Sequence, residues 1–345
     1  MPKSRYRVVQ WATGSVGTTA LRHFMDNPVF ELTGVFVTNP DKVGRDAGDL
    51  ADRPATGVIA TDDVDTILAL DADCVHFTPR VEDIDMMCRL LRSGKNVVSP
   101  LGPYYPIARY VEQHEALEAA CRDGETSFHG CGIHPGFAGD LVPMIFTRLM
   151  DRIEHVHLYE VVDFLANPSH YIAFMGFGRE PDDLLANPAR SADAHLIFSQ
   201  SMALVVEGLG KTIETVTSRF EVAVATRDIA YPGGVIRRGT VGGQHYEWSA
   251  WSDGKPLVTY HCFWVLGDAL EPRWDVGETG YRVVFEGNPP LEIGFRGGLL
   301  PDGKRAYPGW TGILGATAIP AVCDAAPGVL SHIDLGIVRP RGLVR

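Results

Sequence analysis

The sequence predicts an α/β protein in which a doubly wound parallel sheet precedes an α+β domain with a mostly antiparallel sheet. Strand and helix patterns alternate over about the first 135 residues, which is typical of parallel sheets. After residue 140, apolar strands follow one another across turns rich in Gly, Pro and Asp. We therefore expect one domain over residues 1–140, a second over 141–305, and a return of residues 306–345 to the first domain.

The chain opens with an apolar strand, Val8–Trp11, that ends in a small turn and leads into a helical pattern over residues 14–27. The turn has Ala-x-Gly-x-x-Gly spacing, the dinucleotide-binding fingerprint with Ala in its first position. At such a helix start, backbone N–H groups and the helix dipole attract a pyrophosphate. Because Ala12 carries a Cβ, we expect a negative φ there. The predicted cofactor contacts of this turn are Ala12, Thr13, Gly14, Ser15, Val16 and Gly17.

The later elements of the first domain follow from apolar runs and helical periodicity. In the helical pattern over residues 82–91, Ile84, Met87 and Leu91 share one face, and Gly94 is a typical C-terminal cap. Residues 108–122 form a second such helix. The predicted strands are Glu31–Val37, Gly57–Ala60, Cys74–Phe77, Asn96–Val98 and one that begins at Ser127.

The second domain is predicted from long alternating strands. Helical patterns occur over residues 191–206 and residues 310–325. The helix over residues 310–325 is expected to pack on the first domain. The predicted strands are Ile153–Phe164, Thr215–Ala225, Gly234–Val241, Tyr246–Trp251, Leu257–Leu266, Tyr281–Glu286 and Leu291–Phe295.

Composition excludes several classes of protein. The chain has 345 residues, of which 45% are hydrophobic and 21% are charged, as in ordinary globular proteins. The net charge of −12 argues against a nucleic-acid partner. No apolar run reaches about 18 residues, so we expect no membrane partner. The six cysteines are scattered, which favours a reduced, cytoplasmic setting.

The end of the second strand bears on cofactor choice. In NAD enzymes an acidic residue there commonly binds the ribose hydroxyls. Here the strand ends in the neutral pair Thr38 and Asn39, and Lys42 and Arg45 follow, which favours the 2′-phosphate of NADP. The alternative is that Asp41 takes the acidic role and the cofactor is NAD. Two residues at the ends of later strands are further predicted cofactor contacts: Thr78 and Ser99.

These motifs resemble the dihydrodipicolinate reductase-like superfamily, and most closely its branch of 2,4-diaminopentanoate dehydrogenase and native amine dehydrogenases. The resemblance is carried by residues 9–17, 42–48, 94–99 and 130–137, and less closely by residues 175–178 and the helix at Trp310. It implies a Rossmann domain, an α+β domain for substrate binding and dimerisation, a homodimer with its active site between the domains, and no metal. It also implies reductive amination of ketones or aldehydes with NAD(P)H and ammonia, or the reverse reaction.

The sequence departs from these relatives at two places. It lacks the His-His pair and the Asp-Ala-Pro-Ser-Gly-Thr run of dihydrodipicolinate reductase itself, so that reaction is not expected. Amine dehydrogenases carry a Glu four residues before the proline of a Tyr-Pro pair, and it orients ammonia and removes a proton. Alignment on Tyr105 and Pro106 places Gly102 there.

Four residues are candidates for proton transfer. His134 follows the sixth strand at the edge where ligands bind, and its imidazole can donate a hydrogen bond or transfer a proton; alternatively it only caps a helix. Asp140 can orient His134 or act as an acid, or it can be a helix cap on a helix that starts near Phe137. Tyr104 and Tyr105 can act as phenolic acids, or they can simply pack beside a proline.

The predicted substrate contacts rest mainly on the resemblance. They are Phe137, Asn167, Tyr171, Trp310 and Thr311. We therefore expect an NAD(P)H-dependent oxidoreductase that transfers hydride to a C=N or C=O carbon of a mostly apolar small molecule. The alternatives are a reductase that works without ammonia, favoured by Gly102, and a non-catalytic NADP-binding sensor.

Overall fold

The computed structural model describes residues 3–165, 171–186, 188–299 and 309–344, with the side chains of residues 171 and 188–196 left out. The chain forms two compact units. The first comprises Met1–Phe137 and Leu299–Arg345, and the second comprises Ala138–Gly298.

The first unit contains seven strands and seven α-helices in its described residues. Its strands are β1 (Tyr6–Trp11), β2 (Phe30–Phe36), β3 (Ala60–Thr61), β4 (Cys74–Phe77), β5 (Asn96–Ser99), β6 (Ser127–Gly130) and, near the end of the chain, β16 (Gly328–Leu330). Its helices are α1 (Ser15–Asp26), α2 (Ala47–Ala51), α3 (Val64–Ala69), α4 (Ile84–Arg92), α5 (Val111–Gly124), α10 (Trp310–Asp324) and α11 (His332–Leu335).

The seven strands form one parallel sheet in the order β16-β6-β5-β4-β1-β2-β3. Successive β1 residues point to opposite faces, and both faces are buried. Val8 packs with residues of α1 and α10 such as Phe24 and Ile319, whereas Val9 packs with residues of α4 and α5 such as Leu90 and Leu117. Helices therefore cover both faces, which confirms the predicted doubly wound sheet.

The second unit carries the remaining strands and α-helices of the described residues. Its strands are β7 (Arg152–Asp163), β8 (Thr215–Ala225), β9 (Ile229–Tyr231), β10 (Gly234–Ile236), β11 (Val241–Ser252), β12 (Lys255–Val265), β13 (Leu270–Glu271), β14 (Gly280–Asn288) and β15 (Leu291–Phe295). Its helices are α6 (Leu141–Phe146), α7 (Tyr171–Met175), α8 (Pro181–Leu185) and α9 (Pro188–Gly208).

The main sheet of the second unit is mostly antiparallel, as predicted. Its order is β13-β8-β11-β12-β7-β14-β15, and among the described strands of this sheet the β12–β7 pair alone is parallel. The helix α9 lies on this sheet, where Phe198 stacks on Trp248 with ring centroids 4.8 Å apart. The strands β9 and β10 form a separate hairpin.

Three predicted element boundaries are wrong. The third strand of the first unit, expected over Gly57–Ala60, is β3 at Ala60–Thr61. The strand expected over Gly234–Val241 is two strands, because a turn at Gly239, with φ of 84°, separates β10 from β11. The helix expected to start near Phe137 begins at Leu141, since Asp140 caps it there.

Candidate functional site

The turn after β1 holds Ala12 in the left-handed region, with φ of 69°. The expectation of a negative φ is therefore wrong. The N–H of Ala12 donates to the Phe36 carbonyl at 2.8 Å, which extends the pairing of β1 with β2 by one residue. The Ala12 carbonyl accepts a hydrogen bond from Gln10 Nε2 at 2.9 Å. These two bonds hold a conformation that costs an L-residue roughly 1–2 kcal/mol.

The two glycines of the turn have different roles. A Cβ on Gly17 would lie 2.1 Å from the Ala12 carbonyl oxygen. The glycine therefore allows α1 to pack closely on the turn. A Cβ on Gly14 would meet nothing within 4 Å, because Gly14 faces open space. No side chain among the described residues caps α1 at Gly14, and no acidic residue lies in its first turn. The amides of Ser15 and Val16 are therefore available to a pyrophosphate.

Lys42 lies beside this helix start. Its Nζ donates to the Thr13 carbonyl at 2.8 Å and to Thr13 Oγ1 at 2.9 Å. The structure thus brings two predicted cofactor contacts together and places a positive charge at the turn. Thr38, Asn39 and Arg45 are exposed in the same loop region. Asn39 Oδ1 accepts from the Asp41 N–H at 3.0 Å and so caps a short 3-10 turn.

A buried polar network supports the turn from below, and the sequence did not reveal it. His76 Nδ1 lies 2.9 Å from Gln10 Oε1, and Gln10 Nε2 donates to Thr78 Oγ1 at 2.9 Å. The Thr78 hydroxyl in turn donates to the Trp11 carbonyl at 3.0 Å. Burial lowers the pKa of His76 to about 3, so its imidazole is neutral at physiological pH. Thr78 is thus engaged in joining β1 to β4.

Ser99 is fully buried at the end of β5. Its Oγ accepts from the Leu101 N–H at 3.1 Å and so begins the following loop. The cofactor contacts predicted for Thr78 and Ser99 remain predictions.

The loop after β5 carries Gly102, with φ of 67°, and the two predicted tyrosines. Tyr104 is buried, and its hydroxyl donates to the Pro100 carbonyl. Tyr105 is half-buried. A Cβ on Gly132, just after β6, would lie 3.7 Å from the Tyr104 hydroxyl and 3.5 Å from Thr311 Cγ2. Tyr104 and Thr311 therefore both lie beside Gly132, at the carboxyl end of β6.

The start of α10 lies directly against α1. A Cβ on Gly312 would lie 2.5 Å from the Val16 carbonyl oxygen, so a glycine allows this close approach of the two helices. This contact places Trp310 and Thr311, both half-buried, at the start of α1. Both were predicted as substrate contacts, and they lie near the helix start that suits a cofactor phosphate.

The other predicted site residues occupy different settings. His134 is half-buried in the turns that follow β6, and Phe137 ends the first unit in a half-buried position. Asp140 is buried, and its carboxylate accepts from the Leu141 N–H at 2.6 Å and from Ser201 Oγ at 2.9 Å. It therefore serves as the cap of α6. Asn167 lies outside the described residues, as does the side chain of Tyr171.

The sheet of the second unit gathers histidines that sequence spacing did not group. The ligand atoms of His155, His157 and Glu286 lie within 4.8 Å of one another. A second group with the same spacing consists of His245, Glu247 and His261. Burial lowers the pKa of His155 to about 4 and that of His261 to about 3. The residues of each group come from two neighbouring strands, so their spacing along the sequence does not indicate a metal site.

Comparisons with known proteins identify relatives of the whole chain. A Streptomyces virginiae protein described as an amine dehydrogenase is 26% identical over 353 residues, which cover 95% of each chain. The structure of an amine dehydrogenase from Mycobacterium smegmatis superposes with a TM-score of 0.81 at 17% identity over 98% of both chains. The scyllo-inositol dehydrogenase of Lactobacillus casei, solved with NAD(H), gives a TM-score of 0.52 at 13% identity over 96% of this chain and 84% of that one.

The fold, the uncapped start of α1 and these relatives define an NAD(P)-dependent oxidoreductase. The family model described as the 2,4-diaminopentanoate dehydrogenase C-terminal domain matches residues 137–343. The chain therefore belongs to the 2,4-diaminopentanoate dehydrogenase family, which confirms the resemblance seen in its motifs. None of the described helices combines the length and the apolar character that crossing a bilayer requires.

Proposed function

We propose that this enzyme catalyses the reductive amination of a mostly apolar ketone or aldehyde, with ammonia as the nitrogen donor and NADPH as the reductant. Family membership and the amine dehydrogenase relative support this reaction. The observation that carries the cofactor part is the open helix start at Gly14 with Lys42 beside it. The nicotinamide supplies the hydride, and the chain binds, orients and protects the reactants.

The residues of the first unit fit this cofactor. The amides of Ser15 and Val16 would hold the pyrophosphate, and Lys42 and Arg45 would hold the 2′-phosphate. Tyr104 and His134 remain the proposed proton donors at the carboxyl ends of β5 and β6, where such sheets bind their ligands.

A second candidate function is carbonyl reduction without ammonia, and Gly102 favours it. The discriminating experiment follows NADPH oxidation across medium-chain ketones and aldehydes, with and without ammonium, and identifies products by mass spectrometry. Amine that forms only with ammonium supports the proposal. Alcohol that forms without ammonium supports the second candidate. Tight NADPH binding without turnover on any compound contradicts both and favours the sensor.

Cofactor preference gives a separate prediction. Lys42→Ala should lower kcat/KM for NADPH about 10-fold or more and change kcat/KM for NADH by less than about threefold, because the lysine charge pairs with the extra phosphate. Arg89→Ala, on the exposed face of α4, is the matched control and should change neither value. A wild-type preference for NADH of tenfold would contradict the assignment and favour the role of Asp41.

We further propose a homodimer in a reducing compartment such as the cytoplasm. None of the six cysteines, all of which the structure describes, forms a disulfide bond, which suits that compartment. The family resemblance supports the dimer. Light scattering coupled to gel filtration tests it, and a mass of one 37.7 kDa chain would contradict it.

A further inference from the structure

Glu82 lies in the loop between β4 and α4, where it meets the loop that follows β5. A Cβ built on Gly102 would be 3.6 Å from Glu82 Oε1 and 3.4 Å from two ring carbons of Tyr104. The carboxylate of Glu82 therefore reaches the space beside Gly102, although the two residues belong to different loops.

The carboxylate of Glu82 has no hydrogen bond or ion pair with any residue that the structure describes. Its neighbour Asp83 differs, since Asp83 caps α4 by accepting from the Met86 N–H at 2.9 Å. Desolvation raises the pKa of Glu82 above its usual value, even though the residue as a whole is exposed. A carboxyl group that is partly desolvated, reachable by small molecules and uncommitted to the fold is suited to proton transfer.

Topology places Glu82 on the side of the sheet that suits a nicotinamide. The strand order reverses between β1 and β4, and a dinucleotide lies across this switch point at the carboxyl ends of the strands. Lys42 follows β2 on one side of β1, where the adenosine half belongs. Glu82 and Gly102 follow β4 and β5 on the other side, beside Tyr104.

We propose that Glu82 supplies the carboxylate that binds ammonia and exchanges protons with the reacting carbonyl group, in the space that Gly102 leaves open. The proposal rests on the proposed function. The Glu82 carboxylate takes one proton from ammonium, and the ammonia so formed attacks the carbonyl carbon to give a neutral hemiaminal. Protonated Glu82 then returns its proton to the hemiaminal hydroxyl, which leaves as water, and the nitrogen lone pair forms the iminium bond. Bound NADPH would supply the hydride that converts the iminium into the neutral amine.

Gly102 has two properties that suit this arrangement. Its φ of 67° lies in the region that favours glycine, and a side chain there would contact both Tyr104 and Glu82. A glycine at this position therefore leaves room for a carboxylate that comes from the neighbouring loop.

The test compares Glu82→Gln and Glu82→Asp with the control Asp85→Asn, an exposed change on the first turn of α4. Each variant is assayed for reductive amination, for reduction of a preformed cyclic imine and for NADPH affinity. Glu82→Gln should lower kcat for amination at least about 100-fold, while the rate of imine reduction and the Kd for NADPH should each change less than about fivefold. Glu82→Asp keeps a carboxylate and should retain part of the amination rate. The acidic limb of the wild-type pH profile of kcat/KM should disappear in Glu82→Gln.

The possible failures are distinguishable. If the wild type aminates and Glu82→Gln keeps more than a third of that rate, the role of Glu82 is overturned while the proposed function stands. The role is also overturned if Glu82→Gln chiefly weakens NADPH binding, because the carboxylate would then serve the cofactor. If the wild type forms only alcohol, the proposed amination fails, and with it the ammonia site.

Discussion

At the scale of single residues, the turn after β1 shows what a motif predicts and what it omits. The spacing of Gly14 and Gly17 predicts a helix start that suits a phosphate, and the structure has an uncapped helix there. The spacing does not predict the positive φ of Ala12, because that conformation depends on hydrogen bonds to Phe36 and Gln10. Ala12 thus occupies a conformation that a glycine would adopt without strain.

Ala12→Gly should therefore raise the free energy of unfolding by about 0.5–1 kcal/mol. Relief of left-handed strain, roughly 1–2 kcal/mol, is partly offset by the greater entropy of glycine in the unfolded chain. Urea denaturation measures the difference. The control Ala119→Gly, in the middle of α5, should lower stability by about 1 kcal/mol. An equal loss in the free energy of unfolding in both variants would contradict the strain assigned to Ala12.

At the scale of elements, periodicity predicts the sheet of the first unit well, because apolar runs and helical stripes are local signals. It does not predict contacts between elements distant in sequence. The approach of α10 to α1 at Gly312 is one such contact, and the join of β1 to β4 through Gln10 and His76 is another. The meeting of Glu82 and Gly102 also arises from strand order, which brings two loops together.

Gly312→Ala should push α10 away from α1, because the new methyl group would lie 2.5 Å from the Val16 carbonyl oxygen. We expect a loss of about 1–3 kcal/mol in stability and a rise of at least about threefold in the Kd for NADPH. The control Thr317→Ala, on the same helix, should change stability by less than about 1 kcal/mol. If the Kd for NADPH is unchanged in Gly312→Ala, the contact between α10 and α1 does not support cofactor binding at the start of α1.

At the scale of the whole molecule, buried histidines make stability depend on pH. Burial lowers the pKa of His76 and of His129 to about 3. Because their folded-state pKa values lie below the unfolded value near 6.5, the unfolded chain binds protons first as the pH falls. Stability should therefore be lost from about pH 6.5 downwards, with the loss complete near pH 3.

Between pH 7 and pH 5 each of these histidines should cost about 2 kcal/mol of stability, since one pKa unit corresponds to about 1.4 kcal/mol. His76→Gln keeps a side chain that can bond to Gln10 but does not titrate, so its stability should fall about 2 kcal/mol less over this interval. Urea denaturation at both pH values measures the difference. A variant with the same pH dependence as the wild type would contradict the burial of a neutral His76.

The central claim is that the enzyme delivers hydride to the carbon that ends up bearing nitrogen. The most direct measurement is turnover of a ketone with ammonium and NADPH that carries deuterium at both C4 positions of the nicotinamide, followed by mass spectrometry and NMR of the product. Our account predicts an amine with one deuterium on the carbon attached to nitrogen, formed only when ammonium is present. An amine without deuterium, or deuterium found only in an alcohol, would contradict it.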